Sequence, residues 1–335
     1  MHPLATLNEM FSEMDKAPQA VQPSKFWRTL NEEHLKALDL DTFKQTLAKQ
    51  YFTFFLRFGD PQIKFLHAHV KKHLIVLSFI KTLFSSKFAH ESKKRSLSYT
   101  YLTQLLWEYI SATLPPHLLN IEEPLVGSPL LVKWRGRQIT QDLANSLLEF
   151  HSIISHVKEK SIHTVLELGA GYGRLGHVFL THLPHVKYII ADIPPALCVA
   201  QSYLERVFSG KKVFPFRPFE CYEDIREEFE TASICFLLPH QLELLPEKSI
   251  DLGVNISSLH EMTLESNHYY FSQFSRLIAK CFYFKQWKES FNPHDHLMIR
   301  ETDYPIPDTW KEIFWHTCPV QTRFFEALFT SGTLR

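Results

Sequence analysis

Apolar residues recur along this chain with two different periods, and the change falls near residue 120. Up to that point the spacing is helical. Phe43, Leu47, Tyr51, Phe54, Phe55 and Phe58 mark one helix, with Asp41 placed to cap it and Gly59-Asp60-Pro61 to stop it. A second helix is expected from about Ile63 to Phe84, with Lys71-Lys72 on its polar side. Leu102, Leu105, Leu106, Tyr109 and Ile110 mark a third, closed by Pro115-Pro116. Lys93-Lys94-Arg95 reads as a polar break, a solvated basic loop rather than a nucleic-acid or lipid site. These stripes are core-forming first, so residues 1–120 are expected to be a helical N-terminal cap region.

After Pro124 the pattern changes. Leu130 to Trp134 resembles a strand, Arg135-Gly136-Arg137 a tight turn, and Thr140 the cap of a helix carrying Leu143, Leu147 and Ile154 on one face. Asn145 and Glu149 would share another side of that helix, within reach of a ligand if it packs over the next segment and exposed if it does not. From Ser161 short apolar runs alternate with helical ones, the mark of a doubly wound parallel sheet. The strands are expected at Val165–Leu168, Val186–Ala191, Ile234–Leu238, Asp251–Ile256 and Cys281–Phe284, and the clearest helix at about Leu264–Ala279. The tail from Met298 to Leu328 fits a terminal antiparallel hairpin. The second expected unit is therefore an α/β domain over residues 121–335.

The densest chemistry follows the first of those strands, in Val165-Leu-Glu-Leu-Gly-Ala-Gly-Tyr-Gly-Arg-Leu-Gly176. Gly169, Gly171 and Gly173 permit a sharp bend at a strand's carboxyl end, where open α/β sheets bind ligands. Gly171-x-Gly173-x-x-Gly176 formally matches a dinucleotide fingerprint, which would make the chain a nicotinamide-dependent oxidoreductase. Glu167 argues against that, because a carboxylate beside the turn repels a pyrophosphate and attracts the sulfonium and ammonium of S-adenosylmethionine. Asp192 closes the next strand before Pro194-Pro195 and is placed to accept hydrogen bonds from a ribose, or else merely to cap the following helix. Ala170 and Ile193 beside these two acids, Leu238 and Pro239 after the third strand, and Asn255 at the fourth complete the expected donor-side set. His240 or Gln241 could offer polar partners on the same loop.

Methyl transfer to oxygen needs a base for the departing proton. In Asn255-Ile-Ser-Ser-Leu-His-Glu-Met262, His260 is the better general base near neutral pH and Glu261 the group that orients it or the acceptor. Only one of two neighbours on a turn is expected to touch substrate. Ser258, His240 and Tyr304 are the expected acceptor-side residues. His294-Asp295-His296 has metal-ligand residue types, but adjacent alternation on a polar loop reads as solvated, and no metal site is expected.

Composition adds limits. Formal net charge is zero, so no global field draws the chain to nucleic acid or an anionic membrane. The longest apolar stretches are too short for a bilayer span, and the first 22 residues lack a secretory core. Five cysteines at wide spacing read as reduced thiols of a cytoplasmic protein.

Together these residues give the chain a resemblance to the bacterial sugar O-methyltransferase family. It rests on Gly127-Ser-Pro129, Gly136-Arg137, Leu166-Glu-Leu-Gly-Ala-Gly-Tyr-Gly173, Asn255-x-x-Ser258-x-x-Glu261-Met262, Asp303-Tyr-Pro305 and Trp310. The resemblance implies a class I methyltransferase fold, Rossmann-like, with seven strands of which the last is antiparallel. It further implies S-adenosylmethionine as donor and a sugar hydroxyl of a glycan or glycosylated metabolite as acceptor. Arg174 stands where that family tends to have a small residue. A third reading is a non-catalytic methyltransferase-like module whose helical N-terminus docks a partner.

Overall fold

The computed structural model describes residues 3–38, 43, 61–84 and 93–332. The expected helix around Asp41 to Phe58 lies outside them, apart from Phe43, which is buried. The N-terminal part holds α1 (Pro3–Lys16), α2 (Lys25–Ala37), α3 (Pro61–His69), α4 (Lys72–Phe84) and α5 (Lys93–Thr113). Two expectations change here. The single helix from Ile63 to Phe84 is two, parted at Val70-Lys71, where Lys71 O accepts the N–H of Leu74 and begins a new turn. In the last turn of α3 His69 Nδ1 donates to Phe65 O at 2.7 Å, satisfying a carbonyl at the break. Lys93-Lys94-Arg95 is not a break but the first turn of α5.

A hairpin of β1 (Val132–Trp134) and β2 (Arg137–Ile139) follows. Its two-residue turn, Arg135 at φ 46° and Gly136 at φ 84°, is left-handed at both positions, the geometry that matches strand twist. Arg135 tolerates it with its guanidinium bound to Glu108 and lying 4.6 Å from the Trp134 ring centre. Thr140 caps α6 (Gln141–Ile154), its Oγ1 accepting the N–H of Leu143.

The remainder is an α/β, doubly wound, Rossmann-like sheet with its flanking helices. In chain order it comprises β3 (Thr164–Leu168), α7 (Arg174–His182), β4 (Lys187–Ala191), α8 (Ala196–Val207), β5 (Val213–Phe214), α9 (Arg226–Thr231), β6 (Ile234–Leu237), β7 (Ile250–Ile256), α10 (Leu264–Leu277) and β8 (Ile278–Trp287). A small hairpin, β9 (Glu289–Asn292) with β10 (Leu297–Arg300), precedes the terminal β11 (Lys311–Thr317) and β12 (Phe324–Thr330). The sheet order is β11-β12-β8-β7-β3-β4-β6-β5, with β12 antiparallel to both of its neighbours. The sheet has eight strands rather than seven, because the two-residue β5 adds an edge beside β6. The small hairpin was not legible in the sequence, and its turn carries His294-Asp295-His296.

Strand order reverses between β3, which continues to β4, and β7 on its other side. That reversal opens a crevice beyond the carboxyl ends of the strands. One apolar cluster of buried residues runs from Leu7 to Phe329, so the N-terminal helices and the sheet share a core.

Candidate functional site

A cavity of about 400 Å³ lies at the reversal. Its floor is the turn after β3. Leu168 ends the strand, Gly169 N donates to Ala191 O, and Gly173 at φ 85° opens α7. A β-carbon on Gly169 would lie 2.5 Å from Ser258 Oγ, so the bend is pressed directly against the loop after β7. Asp192, just past β4, ties the turn from the other side: Oδ2 accepts Gly171 N at 2.9 Å and Oδ1 accepts Ile193 N at 2.7 Å. Each oxygen keeps a further lone pair for a ligand.

Glu167 and Asp192 both line this cavity. Glu167, only 3% exposed, accepts the Tyr188 hydroxyl at 2.7 Å. Burial pushes its carboxyl up to about 7, partly countered by Tyr188 and Arg174. Burial likewise pushes Asp192 up to about 7 against its two backbone N–H donors, with the nearby Glu261 charge adding to the rise. The two carboxyls share the crevice with the Arg174 guanidinium. A cation stabilises both ionised forms.

The expected site residues divide cleanly. Glu167, Gly169, Ala170, Gly171, Asp192, Ile193, Pro239, Ser258 and Glu261 line the cavity. Gly173, Leu238, Asn255, His260, His240 and Tyr304 do not. Gly173 faces Leu204 and Ile190 within α7's packing, and Leu238 is fully buried. Asn255 sits behind the wall, donating to Leu168 O and Ser258 Oγ. His260, 2% exposed, stacks on Trp287 at 5.3 Å. His240 is half-buried, with Nδ1 unpartnered. Tyr304 packs edge-on against Phe284 in the core, its hydroxyl without a partner. Asn145 and Glu149 are buried rather than exposed, yet they stop short of this cavity.

Arg174 lines the cavity and is held from behind. Its guanidinium donates twice to Glu149, at 2.6 and 3.1 Å, and to Ser146 Oγ at 2.7 Å. Burial works against its charge, and Glu149 more than reverses that. Glu149 also accepts Lys285 Nζ at 2.8 Å.

Sequence reasoning expected the N-terminal helices to cap the acceptor pocket but named no residue of the opposite wall. Val21, Gln22, Pro23, Ser24, Phe26, Trp27 and Leu30, from α2 and the segment before it, close the cavity. Ser24 Oγ donates to Glu261 O at 2.9 Å, Trp27 Nε1 donates to Glu261 Oε2 at 3.0 Å, and Asn31 Nδ2 donates to Pro194 O at 2.9 Å. The apolar spacing of this segment marks a helix but carries no sign of what it covers. Met262, Ser266, Tyr270 and Trp287 also line the cavity. Among the described residues no group of three or more His, Cys, Asp or Glu is placed to hold a metal, and His294 and His296 are exposed.

No family model and no curated protein matches the sequence. Solved structures show partial likenesses to the chain. They include an S-adenosylmethionine-dependent methyltransferase from Leishmania major, 13% identical over 57% of this chain and 74% of that one, TM-score 0.41. A 1,6-didemethyltoxoflavin-N1-methyltransferase from Burkholderia thailandensis is 13% identical over 57% and 79%, TM-score 0.37. A magnesium protoporphyrin IX methyltransferase from Synechocystis is 12% identical over 57% and 82%, TM-score 0.36. Likenesses this low decide nothing about the chemistry of the cavity.

Proposed function

We propose that the chain is an S-adenosylmethionine-dependent O-methyltransferase acting on a hydroxyl of a sugar, in a glycan or glycosylated metabolite. The observation that carries this reading is that Glu167 and Asp192, from successive strands, open into one cavity around the glycine turn. A sulfonium donor is a cation, and Glu167 and Asp192 present carboxylates to it, while the lining cation Arg174 is already paired with Glu149 from behind. Gly173, which the dinucleotide reading needs beside the pyrophosphate, instead packs toward Leu204 and Ile190 and lies off the cavity lining.

Asp192 is the residue to hold the donor's ribose, Glu167 and the Gly169–Gly171 backbone its amino-acid end, and Pro239 and Ile193 its flat base. When bound, the donor supplies a methyl group on a cationic sulfur that leaves as a neutral thioether. The chain's own residues handle the acceptor. Trp27 and Trp287 offer flat apolar faces that suit the C–H face of a pyranose, while Glu261 and Ser258 offer polar partners for its hydroxyls. Of the two acid–base candidates, Glu261 meets the cavity and His260 stands behind it. Glu261 is therefore the group that takes the hydroxyl proton.

Calorimetry with S-adenosylhomocysteine tests the donor half. The expected result is one site per chain, and no heat and no thermal shift would end the reading. Incubation with labelled donor and a mixed glycan extract, followed by mass spectrometry, tests the acceptor half. The expected product is a methylated sugar, and label found only on a non-saccharide acceptor would replace it.

A further inference from the structure

His260 lies outside the cavity, yet its protonation pattern is set by a chain of hydrogen bonds that begins at the glycine turn. The carbonyl of Leu168 can only accept, so the Asn255 side-chain nitrogen must face it, at 2.9 Å. That fixes Asn255 Oδ1 toward Gln286, whose Nε2 donates to it. Gln286 Oε1 is thereby turned to His260, where the backbone N–H, an obligatory donor, meets it at 3.3 Å and Nδ1 at 2.9 Å. Both ends of the relay demand the same amide orientations. Nδ1 must therefore carry a hydrogen, and the neutral ring presents a bare Nε2. Nε2 lies 3.4 Å from Glu261 Oε1, an ion-pair distance without a hydrogen bond. The other carboxylate oxygen is already taken by the Trp27 indole N–H.

We propose that Glu261 and His260 act as a single base, in which Gln286 and Asn255 are positioning residues that keep His260 Nε2 open for a proton. Catalytic contacts of this kind are often long before substrate binds and tighten in the complex, which would put one shared proton between the carboxylate oxygen and the bare imidazole nitrogen. In the methyl transfer, on whose assignment this role rests, the acceptor hydroxyl loses its proton to Glu261 Oε1 as its oxygen gains the methyl group. His260 Nε2 then shares that proton from behind. The electron pair of the O–H bond stays on the acceptor oxygen, and that of the broken S–CH₃ bond stays on sulfur. Glu261 touches the acceptor, and His260 acts through it.

The tautomer is readable without any substrate. Imidazole N–H correlation spectra of the full chain labelled with ¹⁵N-histidine, with His260 assigned by its loss in His260→Gln, are expected to show hydrogen on Nδ1 and none on Nε2 at pH 7.5. Hydrogen on Nε2 in the unsubstituted protein would overturn the proposal. Gln286→Leu removes the acceptor for Nδ1–H, so the hydrogen is expected to move to Nε2, and an unchanged spectrum would also overturn it. The unsubstituted spectrum stands alone if that variant fails to fold. With glycan extract and labelled donor, Gln286→Leu is expected to lose about tenfold or more in transfer while S-adenosylhomocysteine affinity stays within about twofold. Undiminished transfer would refute the role. If the unsubstituted chain bound no S-adenosylhomocysteine, the donor assignment would fall while the tautomer result remained.

Discussion

Gly169 has two reasons to be glycine, and only one belongs to its own backbone. Its φ of 73° is left-handed, and a β-carbon would lie 2.5 Å from Ser258 Oγ and 2.6 Å from Ser258 Cβ. Gly169→Ala is expected to cost about 1–3 kcal/mol in urea denaturation, from strain plus the clash. Adding Ser258→Gly should return part of that cost, and strict additivity of the two changes would show that the contact is not the cause. Asp192 carries the donor prediction. Asp192→Ala is expected to weaken S-adenosylhomocysteine binding about tenfold to a hundredfold by calorimetry, the worth of hydrogen bonds to a charged group. Both residues were legible as members of a turn-and-acid pattern. Ser258 pressing on Gly169 was not, because some ninety residues of chain separate them.

At the scale of elements, the decisive pair is α6 against α7. Arg174 opens α7, where the helix dipole disfavours a cation, and buried Glu149 from α6 offsets this while also holding Lys285 of β8. Burial alone would raise the Glu149 carboxyl, but Arg174 and Lys285 outweigh it and hold it low. Its contribution is thus present above the unfolded carboxyl value of about 4.3 and fades as pH falls through the lower folded value. Glu149→Leu leaves two buried cations sharing no carboxylate, and a loss of about 3–5 kcal/mol is expected in chemical denaturation at pH 7. A loss under about 1 kcal/mol would mean that solvent reaches the pair. The sequence indicated that Glu149 and Asn145 share a side of α6, but the partner of that side, a cation on another helix, lay beyond any local pattern.

For the whole molecule the buried acids set the pH response. Burial raises Glu123 to about 8, and Glu167 and Asp192 to about 7. Between their unfolded values near 4 and these folded values the native chain holds more protons than the unfolded one, so stability falls as pH rises. Histidines lowered by burial, such as His177 at about 4, act oppositely. Their effect ends near an unfolded value of about 6.5. From about pH 6.5 to 8 the carboxylates are left in control, and the urea midpoint is expected to drop over that window; a flat or rising midpoint would contradict it. The same acids predict that S-adenosylmethionine binding at pH 6 releases protons, because a cation ionises them. Calorimetry in buffers of different ionisation enthalpy would read this, and proton uptake would contradict it.

The alternation of periods, the glycine turn beside Glu167 and the acid closing the next strand determined an α/β doubly wound sheet and a crevice lined by two acids at its edge, because those signals are local. Tertiary structure alone decided which residues meet there. It set Trp27 and Ser24 on Glu261, turned His260 into the wall and left Tyr304 in the core. The physical reason is that a side chain's direction depends on the element packed against it, and the strap over this cavity comes from the far end of the chain.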